Sequence, residues 1–250
     1  SFQMAIFSFV GIEMIGITAG ETKNPHKTIP QAINNVPLRI LLFYIGALAV
    51  IISIIPWNEL DPEGSPFVKV FALVGIPFAA GMINFVVLTA AASACNSGIF
   101  ANSRTLFGLS DRKQAPPKLQ ATNRKGVPVV AILVTCALLL FAVLLNFFIP
   151  NATTVFVYIS TVSTVLNIFI WTIIMIAYVR YTKARPDLHK QSRYKMPGGK
   201  IMSICIIAFF VFIFGVLFVN PETRIGVILA PLWLIVLALM YRQYKKHTAE

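Results

Sequence analysis

Between Ile201 and Val219 no residue is charged, and these nineteen residues are enough to cross the hydrocarbon core of a bilayer as a helix. Six further apolar stretches accompany it, at about 1–20, 37–55, 77–107, 127–148, 153–178 and 225–241. In lipid every backbone N–H and C=O must be satisfied within its own segment, so a chain built this way folds as a bundle of helices. The expected class is an all-α polytopic membrane protein with seven spans in these 250 residues. Hydrophobic residues make up 57% of the chain and charged residues 12%, which excludes an ordinary soluble domain.

The net charge of +12 matters less than where the charges fall. All of the 21 lysines and arginines except Lys69 and Arg224 lie in, or at the edges of, the polar segments after spans one, three, five and seven. The opposite side carries Glu59, Asp61, Glu63 and Glu222. Positive charge marks the cytoplasmic face, so the C-terminus is expected inside. No surface of interleaved basic and aromatic residues remains for nucleic acid. Ser1 already lies in an apolar run, without Met or a signal region, so the chain reads as a fragment lacking its N-terminal part. With the first span entering from outside, an odd number of spans is expected before it; five would give twelve.

The stretch from Ser1 to Pro30 carries the chemistry. It begins as an apolar helix interrupted by Gly11, Glu13, Gly16 and Gly20. No Lys or Arg lies near Glu13 along the chain until Lys23. A lone carboxylate at bilayer depth costs about 3 kcal/mol or more, so it faces a cavity, finds a partner or is protonated. Glycines allow the helix to unwind there, and unwound backbone survives in a membrane where it lines protein or water. A broken helix with an acidic residue at the break fits a transporter's binding site. The alternative is a kinked helix whose Glu13 bonds a neighbouring backbone group. Phe7 and Phe9 flank Ser8 just before the break and suit either a gate over a substrate or ordinary lipid-facing filling. Beyond it, the segment from Glu21 to Pro30 is expected to be a polar loop with two helix-breaking prolines. The second span then begins at Pro37.

Two other spans carry polar stripes. Thr89, Ser93, Asn96 and Ser103 recur at helical spacing in the third, with Ser97 beside them. Ser160, Ser163, Thr164 and Asn167 do so in the fifth, with Trp171 one turn further. Such stripes serve close helix packing or line a hydrated path, and their hydroxyls also bond back to their own helix. Ser93, Asn96, Ser97, Ser160 and Thr164 are the candidates for lining a path. Cys95, Cys136 and Cys205 fall inside apolar spans and read as small packing residues. His26, His189 and His247 lie in polar segments without partners at metal-ligand spacing, so no metal is expected. The sequon at Asn151 sits in a very short turn and is set aside. No cofactor motif, phosphate-binding loop, nucleophile elbow or zinc motif is present, which argues against an enzyme or an ATP-driven pump.

FSFVGIEMIGITAGETKNPHKTIPQAI resembles the sixth-helix signature of the amino acid–polyamine–organocation superfamily. There an aromatic-Ser-aromatic run precedes Gly-x-Glu, then Ala-Gly-Glu, Asn-Pro and Ile-Pro. NFVVLTAAASACNSGIFANSRTLFGL is similar to the eighth helix of its amino acid transporters, and RPDLHKQSRYKMPGGK to the loop before their eleventh. VPLRILLFYIGALAVIISIIPW and SPFVKVFALVG extend the likeness towards its bacterial permeases for D-serine, D-alanine and glycine. The resemblance implies a leucine-transporter-type fold of inverted repeats, with helices six to twelve of twelve present. It also implies that the first broken helix, which binds the substrate carboxylate in this family, lies outside the sequence together with the third and fifth helices.

On that basis the expected activity is proton symport of a small neutral amino acid (glycine, D-alanine or D-serine) across a bacterial cytoplasmic membrane. Phe7, Ser8, Phe9, Gly11 and Ile12 would form the substrate site, with carbonyls freed at the break holding the ammonium. Glu13 would couple the proton. The alternatives are a sodium-coupled permease or exchanger, with ligands such as Ser93 or Ser97, and a non-transporting membrane protein of the same fold. The oligomeric state is not legible.

Overall fold

A computed structural model describes residues 2–60, 65–76, 78–148, 152–192 and 194–248. Asp61 and Glu63 of the outer loop, Pro77 at the expected start of the third span, and the Pro150–Asn151 turn with its sequon lie outside the described residues. Among those described, every regular element is helical: α1 (Phe2–Phe7), α2 (Met14–Ile17), α3 (Pro25–Ile40), α4 (Gly46–Ile54), α5 (Pro66–Leu73), α6 (Ala79–Asp111), α7 (Val129–Phe148), α8 (Ala152–Ala184), α9 (Pro186–Gln191), α10 (Gly199–Val219) and α11 (Pro221–Thr248). Among the described residues, five helical stretches are long and apolar enough to cross a membrane: Pro25–Ile54, Ala80–Asp111, Val155–Ala184, Gly199–Val219 and Pro221–Lys246. The protein is an all-α polytopic membrane protein. The chain divides into two compact units, Met14–Thr105 and the remainder.

In the unit Met14–Thr105 the expected polar loop before the second span is helical. Asn24 takes a left-handed φ of 54° and starts α3, and Pro25 occupies the first turn, where its missing N–H is not needed. Pro30 and Pro37 then sit inside the helix, so the helix begins well before Pro37. A wide π turn at Leu41–Ile45 follows and joins α3 to α4. Helices that pack in a membrane tolerate proline in their interior, and both prolines lie within α3 ahead of this wider turn. In the same unit the Lys69 ammonium donates to the Glu59 carbonyl at 2.6 Å, holding α5 to the short turn after α4. The Arg104 guanidinium lies 4.4 Å from the centre of the Phe100 ring on α6. Cys95 is exposed in this unit, as is Cys205 in the other.

The other unit is organised on α8, against which α1, α10 and α11 pack. Ile6, Val165, Ile168, Ile213, Leu217, Val227 and Ala230 form its apolar core. Gly226 of α11 lies directly on Thr161 of α8, where a Cβ would stand 2.7 Å from the Thr161 Cβ and Cγ2. The turn between α10 and α11 explains one of the two outlying cations. Arg224 donates from Nε to the Phe218 carbonyl and from a terminal nitrogen to the Val219 carbonyl, each at 3.2 Å. Thr223 Oγ1 donates to the Leu217 carbonyl at 2.6 Å. These bonds cap the open C-terminal carbonyls of α10, where a positive charge is also favoured.

At the basic end, the stretch RPDLHKQSRYKMPGGK, expected as a loop, is partly helical. His189 of α9 meets the edges of Tyr178 and Tyr181, with ring centres 5.8 and 6.2 Å apart. The segment after α6 is tied down as well. Ser110 Oγ donates to the Pro116 carbonyl, and Tyr244 of α11 donates to the Ala115 carbonyl at 2.8 Å.

Candidate functional site

The first apolar run is not one helix. α1 ends at Phe7, and residues Ser8 to Glu13 form turns closed mainly by tight bonds: Phe9 N–H to the Ile6 carbonyl, Val10 N–H to Phe7, and Ile12 N–H to Phe9. Gly11 has φ +104°, a conformation that side chains rarely adopt. Among the described residues, the carbonyls of Ser8, Val10 and Gly11 accept no backbone hydrogen bond. Three open acceptors within four residues would be costly in lipid, and they are ready partners for a cation.

Glu13 does find a partner in its own chain. Its two carboxylate oxygens accept from the Gly11 N–H at 3.2 and 3.1 Å. The sequence left two readings open, an acidic group at a break and a kinked helix whose glutamate bonds nearby backbone. The geometry combines them, because the carboxylate holds the unwound turn. Glu13 itself is half-buried, whereas Gly11 and Ile12 are exposed.

The neighbouring candidates divide. Phe7 is half-buried and meets Phe156 of α8 edge-on at 6.1 Å, so it is anchored to the scaffold in this structure. Phe9 is exposed. Ser8 donates its hydroxyl to the Ala5 carbonyl at 2.7 Å, which leaves its own carbonyl as the open group.

Of the path-lining candidates, Ser160 and Thr164 are buried at 1% and 0% exposure in the packing around α8. Thr164 donates to the Ser160 carbonyl at 2.7 Å, and Ser160 to the Val157 carbonyl at 3.1 Å. In this unit both therefore sit in packed surroundings and bond back to their own helix. In the other unit Ser93, Asn96 and Ser97 lie on an exposed face of α6, with Ser97 donating to the Ser93 carbonyl at 3.0 Å.

Sequence reasoning missed Gln3. It is buried in α1 and donates from Nε2 to Ser160 Oγ at 2.6 Å. This bond and the edge-on pair of Phe2 with Phe212 of α10, 6.0 Å apart, fix the first half of the broken helix to its unit. The only sequence signal was a lone amide in an apolar run. Gln3→Leu should weaken that seat by about 1 kcal/mol, a typical value for a bond of this kind between membrane helices. Thermal unfolding of the full-length variant should show a drop of a few degrees at most, and an unchanged melting point would mean the bond contributes nothing. Two buried donors on α8, Trp171 Nε1 and the Tyr178 hydroxyl, have no hydrogen-bond partner among the described residues.

The sequence matches the model of the family described as "Amino acid permease" over residues 1–250. The chain belongs to the amino acid permease family. It is 48% identical over 250 residues to a "D-serine/D-alanine/glycine transporter" of Escherichia coli strain K12, covering all of this chain and 53% of that protein. It is 47% identical over 248 residues to the "Uncharacterized transporter YdgF" of Bacillus subtilis, covering 99% of this chain and 54% of the relative. The "Amino-acid permease AapA" of the same organism is 46% identical over 242 residues, which are 97% of this chain and 52% of that permease. The permease chain thus spans about half the length of these curated relatives. Membership makes it a transporter-family protein rather than a member of an enzyme family, and a multi-pass membrane protein.

Proposed function

We propose that the full-length protein carries small neutral amino acids, namely glycine, D-alanine and D-serine, across the bacterial cytoplasmic membrane by proton symport. The carrying observation is the unwound turn, with open carbonyls at Ser8, Val10 and Gly11 beside the Glu13 carboxylate that holds the turn. The name of the Escherichia coli relative supports the substrate class.

In this reading the substrate ammonium docks on the open carbonyls of the turn. Phe9 and Ile12, both exposed, cover a side chain no larger than a hydroxymethyl group, with Phe7 as the fixed wall behind them. Glu13 couples the proton. When ionised it accepts strongly from the Gly11 N–H, and protonation weakens that charge-assisted bond and frees the turn to rearrange. In the other unit, the exposed polar face of α6 with Ser93, Asn96 and Ser97 suits the lining of a hydrated path. The 250 residues form part of one permease domain, and the charge asymmetry supports a cytoplasmic C-terminus.

The test is uptake of radiolabelled glycine, D-alanine and D-serine by cells expressing the full-length protein, with and without a protonophore. The expected result is saturable uptake of all three that collapses with the proton gradient. Uptake that ignores the gradient but follows sodium would replace the proton by sodium. No uptake of these or of larger amino acids would sink the transport reading.

A further inference from the structure

On the unit built around α8, an apolar groove of about 380 Å³ opens between α8, α10 and α11. Its floor is buried Val165, Ile168 and Ala230, and its rim is exposed Phe169, Val211 and Phe214. Thr172 is the one side chain there with a hydrogen-bonding group, and its hydroxyl already donates to the Ile168 carbonyl at 2.7 Å. Such a site has nothing with which to orient an amino acid, and it suits a hydrocarbon chain.

The three helices also share a charge pattern. Arg180 follows Phe169 by eleven residues on α8, and Arg242 follows Pro231 by eleven on α11. On α10, which runs the opposite way, Lys200 precedes Val211 by eleven. Eleven residues are about three helical turns, so each cation shares a face with its groove residue, about 16 Å away along the helix. That distance is close to half the hydrocarbon thickness of a bilayer. The groove therefore sits near mid-membrane depth, with three cations at the interface on the same strips of surface. All three are exposed, and none has a carboxylate partner among the described residues.

We infer that this face binds one anionic phospholipid of the cytoplasmic leaflet, its phosphate held among Arg180, Lys200 and Arg242 and one acyl chain running into the groove. The charge selects an anionic headgroup, and the depth of the groove selects a long chain. This site is independent of the transport reading, since none of its residues belongs to the broken helix.

Native mass spectrometry of the purified full-length protein tests it, counting dioleoyl phosphatidylglycerol and dioleoyl phosphatidylethanolamine retained per molecule. The wild type should prefer the phosphatidylglycerol. The triple variant Arg180→Gln, Lys200→Gln, Arg242→Gln should bind it on the order of a hundredfold more weakly. A matched loop variant, Lys118→Gln, Arg124→Gln, Lys125→Gln, should bind as the wild type does. Val211→Trp, which fills the groove from its exposed rim, should remove the advantage of dioleoyl over dihexanoyl phosphatidylglycerol. Equal retention of the two headgroups, or an equal loss in the loop variant, would overturn the site in favour of diffuse attraction. Dihexanoyl lipid or inorganic phosphate binding as well as the dioleoyl lipid would reduce it to an anion site. A lower melting point of Val211→Trp in phosphatidylethanolamine alone, or a changed oligomeric state, would mean that protein and not lipid fills the groove.

Discussion

Alanine at position 226 is expected to lower the melting temperature of the full-length protein by several degrees, and leucine there to leave little folded protein. A Cβ at Gly226 would come within 2.7 Å of the Thr161 Cβ and Cγ2, both close to the α8 backbone and unable to swing aside. Thr161 is fully buried and donates its hydroxyl to the Val157 carbonyl at 2.6 Å, which fixes its rotamer. Relief therefore requires α8 and α11 to separate, and overpacking of this kind costs about 1–3 kcal/mol. The same helices supply the core around Val165, Ile168, Val227 and Ala230, so the loss spreads beyond one contact. Adding Thr161→Gly to Gly226→Ala removes both crowded atoms and should restore part of the stability, less about 1 kcal/mol for a glycine within a helix. A Gly226→Ala protein that melts with the wild type would show that these helices do not meet as described.

The second large effect concerns Glu13, where two substitutions separate holding the turn from carrying a proton. Glutamine keeps an oxygen that accepts from the Gly11 N–H, and it cannot titrate. Glu13→Gln in proteoliposomes should therefore keep exchange of labelled for unlabelled glycine. It should lose most of the accumulation driven by an inward proton gradient, tenfold or more if one such gradient-coupled step is lost. Glu13→Ala removes the acceptor as well, leaving Gly11 in its left-handed conformation without the bond that closes the turn, and exchange should fall with accumulation. If glutamine preserved gradient-driven accumulation, Glu13 would be a structural clasp only, and the proton would act elsewhere.

Much of this architecture was legible because lipid permits so few solutions. Uncharged runs such as Ile201–Val219 had to be helices, and Glu13 among glycines had to mark an irregularity. What escaped depended on tertiary or purely local geometry. Proline usually reads as a breaker, yet Pro30 and Pro37 lie inside α3, with a π turn following at Leu41–Ile45. Periodicity grouped Ser160 with Thr164 but said nothing of their burial, which depends on the helices packed against α8. The partner of Glu13 was two residues away in the chain, a bond that depends on the φ of Gly11 rather than on residue type. Gln3 was invisible because its acceptor lies 157 residues downstream.

That last separation bears on biosynthesis. At roughly 5–20 residues per second, a ribosome needs about 8–30 s to make the chain between Gln3 and Ser160. Throughout that interval the hydroxyl partner of the amide does not exist, although the amide leaves the ribosome well before it ends. The first half of the broken helix must therefore wait, unseated, for α8 to be inserted, and its docking is a late event in assembly. Nascent chains halted before Ser160 should hold this segment loosely, where quality-control proteases and crosslinkers find it, and chains released after α8 should not.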